Sequence, residues 1–237
     1  MINFVKLFDK IFYSRYPDNW DNILFRKLVL KHLSADKKML DLGAGAGILK
    51  QMDFSKDAES VCGVDLDRRV LSNPFLSEAK VASAECLPYS DQSFDLVTCN
   101  NVLEHLPNPL AVFKEVRRVL KDGGIFLIKT PNKFHYVPIF ARLTPHWFHK
   151  FYNKMRGRDE VDTFPVLYRV NSRNKINYYA KEAGFTVDSL ESIEGRPEYL
   201  RINCFTYILG IIYGRILNSS NLFRNFRVLL IATLRKK

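Results

Sequence analysis

The chain has 237 residues, of which 47% are hydrophobic and 26% are charged. This composition excludes a globally disordered chain and predicts one domain of ordinary size with a substantial core. The formal net charge of +11 favours anionic partners such as an acidic membrane surface, an acidic substrate or nucleic acid, although a generally basic surface gives the same charge. The sequence contains no run of five basic residues and no nucleic-acid module, so specific nucleic-acid binding is not expected.

The cysteines are scattered along the chain with no C-x-x-C pair, at Cys62, Cys86, Cys99 and Cys204. This spacing predicts small, buried apolar residues in a reducing compartment rather than a metal site or a disulfide framework. Charges interrupt the apolar stretch at the N-terminus, and no small-residue cleavage site follows it, which is not the pattern of a signal peptide. We therefore expect a cytoplasmic protein.

The first 36 residues are predicted to form two helices. Apolar residues recur at helical spacing over residues 2–13. Asp18 or Asn19 is placed to cap a second helix that continues to Leu33. The pattern leaves open whether these helices cover a ligand site or simply pack on a sheet.

A glycine-rich stretch, Met39 to Gly47, reads M-L-D-L-G-A-G-A-G and begins as the end of a buried strand. Glycine tolerates positive φ and lets a ligand approach the backbone closely. A strand that leads through such a turn into a helix, here expected over residues 48–54, builds a nucleotide site at the carboxyl end of a parallel sheet. The dinucleotide fingerprint G-x-G-x-x-G requires glycine at position 48, which is Ile48, so a nicotinamide-dependent oxidoreductase is the weaker alternative.

The pattern D-x-G-x-G-x-G, which starts at Asp41, resembles the S-adenosylmethionine (SAM) site of class I methyltransferases. The resemblance implies that the Asp41 carboxylate faces the methionine end of the cofactor. It also implies that the following small residues leave room for this end of the cofactor, namely Gly43, Ala44, Gly45 and Gly47.

A second strand over residues 61–64 ends at Asp65. An acidic residue about 20 positions after the glycines of a βαβ unit reaches the ribose hydroxyls, and its carboxylate accepts hydrogen bonds from both of them. Leu66 is placed to lie against the adenine, whereas Asp67 is a candidate cap for the next short helix.

A third strand is expected over residues 78–82 and a fourth over residues 93–99. The motifs between and within them, Leu-Pro-aromatic and S-F-D-L-V, resemble the same family. The resemblance implies that Ala84 and Glu85 flank the adenine, with the Glu85 carboxylate accepting from the exocyclic amine. The alternative for Glu85 is a solvated loop charge. Asn100 ends the fourth strand and should lie near the methionine part of the cofactor, because strand ends face the ligand crevice.

The motif E-H-L that contains His105 also matches the family. A histidine side chain changes its charge near neutral pH, so His105 is the candidate catalytic base. It has a structural alternative, in which the ring only holds its loop by a hydrogen bond. An amphipathic helix is then expected over residues 109–120, ended by Gly123 and Gly124, and a fifth strand over residues 125–129. The T-P-N that follows resembles quinone and small-molecule branches of the family.

Residues 133–171 form an aromatic-rich insertion that we interpret as a substrate lid, since aromatic side chains give apolar walls with polar tips. The candidate substrate residues are His135, Tyr136, His146 and Tyr152. His146 and His149 stand at i, i+3, but no third ligand is evident and no metal is expected. Basic residues of the lid are candidates to meet an anionic group, namely Arg156, Arg158, Arg169 and Arg173.

The chain ends with a helix over residues 172–183 and two strands, 185–190 and 228–234, the last expected to be antiparallel. Residues 195–226 form an insertion between these strands. Its apolar middle, residues 202–217, is too short and too interrupted to span a membrane. It either lies on a membrane face, lines a lipid-like substrate channel, or packs on its own lid.

The alternation of strands and helices predicts an α/β, Rossmann-like three-layer sandwich with a mostly parallel seven-stranded sheet and helical lid insertions, all in one domain over residues 1–237. The resemblance to class I methyltransferases implies that the final strand is antiparallel. The resemblance implies a SAM-dependent methyltransferase that acts by in-line displacement on an oxygen or nitrogen atom of a small or lipid-like molecule and releases S-adenosylhomocysteine. A SAM-binding partner subunit without catalysis is the alternative. Peripheral membrane contact is a further expectation.

Overall fold

The computed structural model describes residues 4–143 and 165–237. The helices follow the predicted apolar periodicity, and a short 3-10 turn stands in several of the connections. In chain order the helices are α1 (Phe4–Phe12), α2 (Trp20–Leu30), α3 (Pro109–Val119), α4 (Tyr136–Leu143), α5 (Arg173–Glu182) and α6 (Cys204–Ser219).

Seven strands form one mixed sheet in the order β3-β2-β1-β4-β5-β7-β6. The first five strands pair in parallel, and β7 is antiparallel to both of its neighbours, which confirms the predicted fold class. The strands are β1 (Lys38–Leu42), β2 (Ser60–Asp65), β3 (Glu78–Val81), β4 (Phe94–Asn100), β5 (Leu120–Pro131), β6 (Phe185–Ile193) and β7 (Leu229–Lys236).

The core has two halves, one on each face of the sheet, because successive strand side chains point in opposite directions. Leu40 and Val97 join a buried cluster with Phe113 of α3 and with α5. Met39 and Leu96 belong to the other cluster, which contains residues of α2. The result is a helix–sheet–helix sandwich whose parallel strands end at a common edge.

The helix predicted over residues 48–54 is wrong, since only a 3-10 turn, Lys50–Met52, forms there. The Arg26 side chain from α2 donates to the carbonyls of Gln51 and Asp53. Its guanidinium also lies 4.8 Å from the centre of the Phe54 ring. These contacts fasten the turn to α2, and Ile48, which precedes the turn, is 71% exposed.

Two predicted helix boundaries also differ. Asn19 precedes α2 in a left-handed conformation and makes no side-chain cap, and Asp18 pairs with Arg196 instead. Helix α3 runs straight into β5, so Gly123 and Gly124 are not its C-cap. They lie at the register shift in the pairing of β4 and β5, between Leu120 and Ile125, and Gly123 has a φ of +76°.

The cysteine prediction is half right, because Cys62 and Cys99 are buried whereas Cys86 and Cys204 are exposed. Within residues 4–143 and 165–237, no helix has the length and apolar character needed to cross a bilayer. The same residues contain no cluster of three or more potential metal ligands.

Candidate cofactor and substrate site

The loop after β1 has a shape that only glycine accommodates without strain. Gly43, Gly45 and Gly47 all have positive φ, between +54° and +71°. A Cβ atom on Gly43 would lie 2.2 Å from Cγ2 of Val102, and one on Gly47 would lie 2.4 Å from Oδ1 of Asn73. The chain therefore turns tightly beside the ends of β2 and β4, which leaves open space above the loop.

Gly43→Ala is expected to lower the free energy of unfolding by more than about 2 kcal/mol, because left-handed backbone strain of ~1–2 kcal/mol adds to the overlap with Val102. Gly45→Ala is the matched control: its φ is also positive, but a Cβ there meets nothing within 4 Å. Thermal unfolding of the two variants measures the difference. Equal melting temperatures would contradict the steric role of Gly43.

The Asp65 carboxylate holds the glycine loop in place. Its Oδ2 accepts from the backbone N–H of Gly45 at 2.9 Å, and its Oδ1 accepts from the N–H of Asp67 at 2.9 Å. Each carboxylate oxygen has a second lone pair for a further donor. Asp67 caps the following 3-10 turn by accepting from the N–H of Arg69, as the sequence indicates.

Asp41 lies beneath the same loop and is half-buried. Its Oδ1 accepts a hydrogen bond of 2.7 Å from the Thr98 hydroxyl. Burial raises the pKa of the Asp41 carboxyl to about 6, despite that hydrogen bond, and the nearby Asp65 charge raises it further. A carboxyl with a raised pKa in a crevice is typical of a ligand site.

Asn100 at the end of β4 presents an unsatisfied acceptor. Its Nδ2 donates to Oδ1 of Asn22 at 3.2 Å and lies 2.8 Å from the Met52 sulfur. Its Oδ1 is buried and has no hydrogen-bond partner among residues 4–143 and 165–237. Buried polar atoms are nearly always bonded, so this oxygen marks a place for a ligand donor.

Two adjoining cavities contain every residue predicted to bind the cofactor. The first, of about 360 Å³, is lined by Asp41 and the glycine loop. The second, of about 250 Å³, is lined by Leu66, Ala84 and Glu85. Gly43, Asp65 and Asn100 line both cavities, so the two form one extended crevice at the carboxyl ends of the parallel strands.

A third cavity, of about 480 Å³, lies beside the crevice. His135 and Tyr136 line it, whereas His146 and Tyr152 fall outside the described residues. Nε2 of the buried His135 is 3.6 Å from Oε1 of Glu194. Other lining residues with charged side chains are Asp21, Glu104, Arg196 and Glu198.

The described arginines of the lid do not line this cavity, which corrects their predicted role. Arg169 donates to the Pro107 carbonyl. Arg173 donates to the Leu190 carbonyl at 2.6 Å and also contacts the Ser192 hydroxyl. Both guanidinium groups are thus used to fasten loops and strands. Arg156 and Arg158 lie outside the described residues.

His105 lines both the second and the third cavity and so stands at their junction. Its Nδ1 is 2.8 Å from the Pro165 carbonyl oxygen. A carbonyl only accepts hydrogen bonds, so Nδ1 carries a proton and Nε2 is the acceptor of the neutral ring. The base and structural interpretations are therefore compatible, because the bond that holds the loop also fixes the tautomer a base needs.

Lys129 is a buried charged residue beside the site, which no sequence pattern indicated. Its side chain has 0% exposure, and its Nζ lies 2.6 Å from both Asp21 Oδ2 and Asn22 Oδ1. Burial lowers the pKa of Lys129, while Asp21 and Glu104 oppose this shift. The Asn22 oxygen also accepts from Asn100. Helix α2 therefore packs on the sheet, contacts the end of β4 through Asn22, and contributes Trp20 and Asp21 to the lining of the third cavity.

Glu104 bonds to the segment that precedes α5. Its backbone oxygen accepts from the N–H groups of Leu167 and Tyr168, and its Oε2 accepts from the Thr130 hydroxyl at 3.1 Å. Burial raises the pKa of the Glu104 carboxyl. Charged residues are rarely buried unless they are paired. A charged residue within or next to an apolar strand, as at Lys129 and Glu104, is therefore the sequence feature that could have identified both residues.

The sequence profile described as a methyltransferase domain matches residues 40–128, which run from β1 to β5 and include the whole glycine loop. This match and the relatives below support a class I methyltransferase. That family implies SAM as the methyl donor. Residues 133–171 and 195–226 lie outside the matched region.

The chain is also similar to individual proteins. The chain is 32% identical over 154 residues to the uncharacterized protein MJ0638 of Methanocaldococcus jannaschii, covering 62% of this chain and 65% of that protein. It is 28% identical over 172 residues to the ubiquinone biosynthesis O-methyltransferase of Pseudomonas fluorescens, covering 69% and 70%. The chain thus spans about two thirds of the length of these relatives.

The fold has a solved counterpart in the YcgJ protein of Bacillus subtilis. The two structures superpose with a TM-score of 0.56 and 19% sequence identity, covering 90% of this chain and 98% of YcgJ. This similarity concerns the architecture alone. It agrees with the strand order and with the antiparallel β7 found here.

Proposed function

We propose that the chain is a methyltransferase that transfers the methyl group of SAM to an oxygen or nitrogen atom of a small or lipid-like molecule. The observation that supports this most strongly is that all predicted cofactor residues line one crevice, and that His105 lies where this crevice meets the third cavity. A cofactor and an acceptor have separate places, and their reacting ends meet at this junction.

The residues of the crevice fit the cofactor in chemical terms. Asp65 would bind the ribose hydroxyls, and Glu85 would accept from the adenine amine, with Leu66 and Ala84 beside the ring. Asp41, Asn100 and the glycine loop would hold the methionine end, where the unsatisfied Asn100 oxygen suits the α-ammonium group. When bound, SAM supplies a methyl group already activated by its sulfonium.

The protein's own task is then to hold the acceptor in line with the methyl group. Orientation of this kind is worth effective molarities of about 10⁵ to 10⁸ M. A hydroxyl acceptor also has to lose its proton, and His105 Nε2 is the acceptor that receives it. An amine acceptor makes less use of this base. The third cavity supplies aromatic walls for the acceptor through Trp20, Tyr136 and Tyr199.

An oxygen acceptor on a lipid-like molecule has support from the relatives, since the similar protein of Pseudomonas fluorescens is named for ubiquinone biosynthesis. Incubation of the chain with methyl-labelled SAM and a fractionated cell extract tests the proposal, with heat-treated protein as control. We expect label in a small-molecule or lipid fraction. Tight SAM binding with no label in any fraction would favour a SAM-binding partner subunit. Thermal stabilisation by NAD alone would favour an oxidoreductase.

His105→Gln is expected to reduce kcat by about 10²- to 10⁴-fold on a hydroxyl acceptor, the range for loss of a general base. SAM affinity should stay within about twofold. Single-turnover rates and calorimetric binding of S-adenosylhomocysteine separate the two effects. A loss of both rate and binding in equal measure would instead assign His105 a structural role.

SAM affinity is expected to fall as the pH drops through about 6, where Asp41 of the ligand-free chain takes up a proton. A neutral carboxyl no longer attracts the cationic methionine end, so binding weakens by up to about tenfold per pH unit below that value. The raised pKa has the opposite effect on the free energy of unfolding. Ionised Asp41 destabilises the ligand-free chain above pH 6, and this destabilisation is lost as the pH falls below that value. Calorimetry between pH 5 and 8 measures the affinity. Asp41→Asn should give a flat profile.

A further inference from the structure

Helix α6 has two apolar faces, of which only one is buried against the protein. The buried face is formed by Tyr207, Gly210, Ile211, Gly214 and Leu217. The opposite face consists of large apolar side chains at helical spacing that are 43–69% exposed, namely Phe205, Ile208, Leu209, Ile212 and Ile216. A helix that is apolar all round is normally enclosed or in contact with lipid.

Two further elements continue this apolar face. Helix α1 contributes Phe4, Leu7, Ile11 and Phe12, all exposed. The 3-10 turn Asn221–Phe226 after α6 contributes Leu222, which is 84% exposed, together with Phe223 and Phe226. We call these side chains and the five of α6 the α1–α6 surface. Soluble monomers rarely expose an apolar patch of this extent without an interaction.

Helix α1 is held in place for this arrangement. The ring centres of Phe8 and Tyr207 are 5.8 Å apart, and Tyr13 stacks on Tyr207 at 6.0 Å. The Tyr207 hydroxyl donates to Asp9 at 2.5 Å, and Arg201 pairs with the same carboxylate. These contacts place one side of α1 against α6, where Val5, Phe8 and Asp9 are half-buried, and leave its other side exposed.

The charges around the α1–α6 surface are basic. Lys6, Lys10, Arg215 and Arg224 are exposed on its three elements. The Arg215 guanidinium lies 5.6 Å from the Phe12 ring centre. Asp9 is the one acidic residue of these elements, and its carboxylate is engaged by Arg201 and Tyr207. The surface therefore combines apolar side chains with positive charge.

We propose that the α1–α6 surface docks onto an anionic lipid bilayer. Sixteen residues of α6 extend about 24 Å, which is less than the ~30 Å hydrocarbon core, so the helix lies in the interface and does not cross it. Apolar side chains with basic residues beside them are the features that bind such interfaces. A second copy of the chain fits less well, because two molecules of charge +11 would bring their basic residues together.

The docking face is connected to the third cavity through one side chain. The Tyr213 ring of α6 contacts the rings of Tyr136 and His135, with centroid distances of 5.0 Å and 5.6 Å. Both of those residues line the cavity. Lipid docking does not depend on methyl transfer, but it would place the proposed acceptor site next to the bilayer.

Vesicle flotation of the full chain tests the proposal. Vesicles of phosphatidylcholine alone are compared with vesicles containing 30% phosphatidylglycerol, with and without 0.5 M NaCl. We expect at least about tenfold more protein on the anionic vesicles, and a partial loss of binding in high salt. The double substitution Ile208→Ser and Ile212→Ser should reduce binding at least about tenfold. Arg215→Gln with Arg224→Gln should mainly remove the preference for anionic lipid.

Leu71→Ser is the matched control, since Leu71 is 55% exposed but lies beside β2 and β3, at the opposite edge of the sheet. It should bind vesicles like the parent. Absent or lipid-independent binding by the parent, or unchanged binding by the Ile208/Ile212 variant, would overturn the proposal. A parental dimer that this variant dissociates would assign the surface to a second copy. A large fall in the variant's melting temperature would show that the chain itself covers this face.

Discussion

Asp65→Ala is expected to weaken SAM binding by about 100-fold or more. Two charge-assisted hydrogen bonds to the ribose hydroxyls would be lost, each worth about 1.5–3 kcal/mol, and a tenfold change in affinity corresponds to about 1.4 kcal/mol. The glycine loop would also lose the acceptor of the Gly45 N–H, so that the crevice is less well formed before binding. Isothermal titration with SAM and S-adenosylhomocysteine measures the change.

Asp65→Asn is the matched control for loop shape, because its amide keeps one acceptor oxygen at nearly the same position. We expect an affinity between those of the parent and the alanine variant. Melting temperatures of both variants separate loss of the ligand contact from loss of the loop. An alanine variant that binds SAM as tightly as the parent would remove the basis for placing the cofactor in this crevice.

Asp21→Ala is expected to lower the free energy of unfolding by about 3 kcal/mol. Removing one partner of a buried ion pair leaves the other charge uncompensated, which costs about 3–5 kcal/mol. Only Lys129 is buried here, because the Asp21 side chain is 31% exposed, and the Asn22 oxygen remains near Lys129, so this case lies at the low end. For a chain of this size the melting temperature should fall by about 6–12 °C.

Lys129→Met supplies the control for Asp21→Ala. The double variant with Asp21→Ala and Lys129→Met removes the buried charge together with its partner, so it should be more stable than Asp21→Ala alone. Differential scanning calorimetry of the three variants gives the comparison. If the double variant were less stable than Asp21→Ala, the buried ammonium would be contributing favourably without its carboxylate, contrary to this account.

The cofactor half of the fold was predictable because its signals are local. The acidic-glycine loop, Asp65 after β2 and Asn100 after β4 each lie at a strand end, and parallel strands bring their ends to one edge. Three statements stay predictions: that these residues bind SAM, that His105 acts as a base, and that the chain is a single domain. So do the substrate roles of His146 and Tyr152.

The parts that the sequence did not predict depend on distant contacts. Lys129 and Asp21 are 108 positions apart, and no local pattern joins them. Residues 48–54 have the apolar spacing of a helix, but the Arg26 side chain of α2 donates hydrogen bonds to the carbonyl oxygens of Gln51 and Asp53. The lining of the third cavity combines side chains from α2, from α4 and from the segments after β4 and β6, so its acidic character emerges only in three dimensions.

The Asn22 oxygen accepts one hydrogen bond from Asn100 and another from Lys129, so both of its lone pairs are occupied. One atom of an N-terminal helix is thereby shared between the wall of the nucleotide crevice and a lysine buried in the sheet. Any molecule that draws the Asn100 amide toward itself also changes how firmly that helix is seated. By thermodynamic reciprocity, whatever loosens or tightens the helix alters the affinity for that molecule by the same factor.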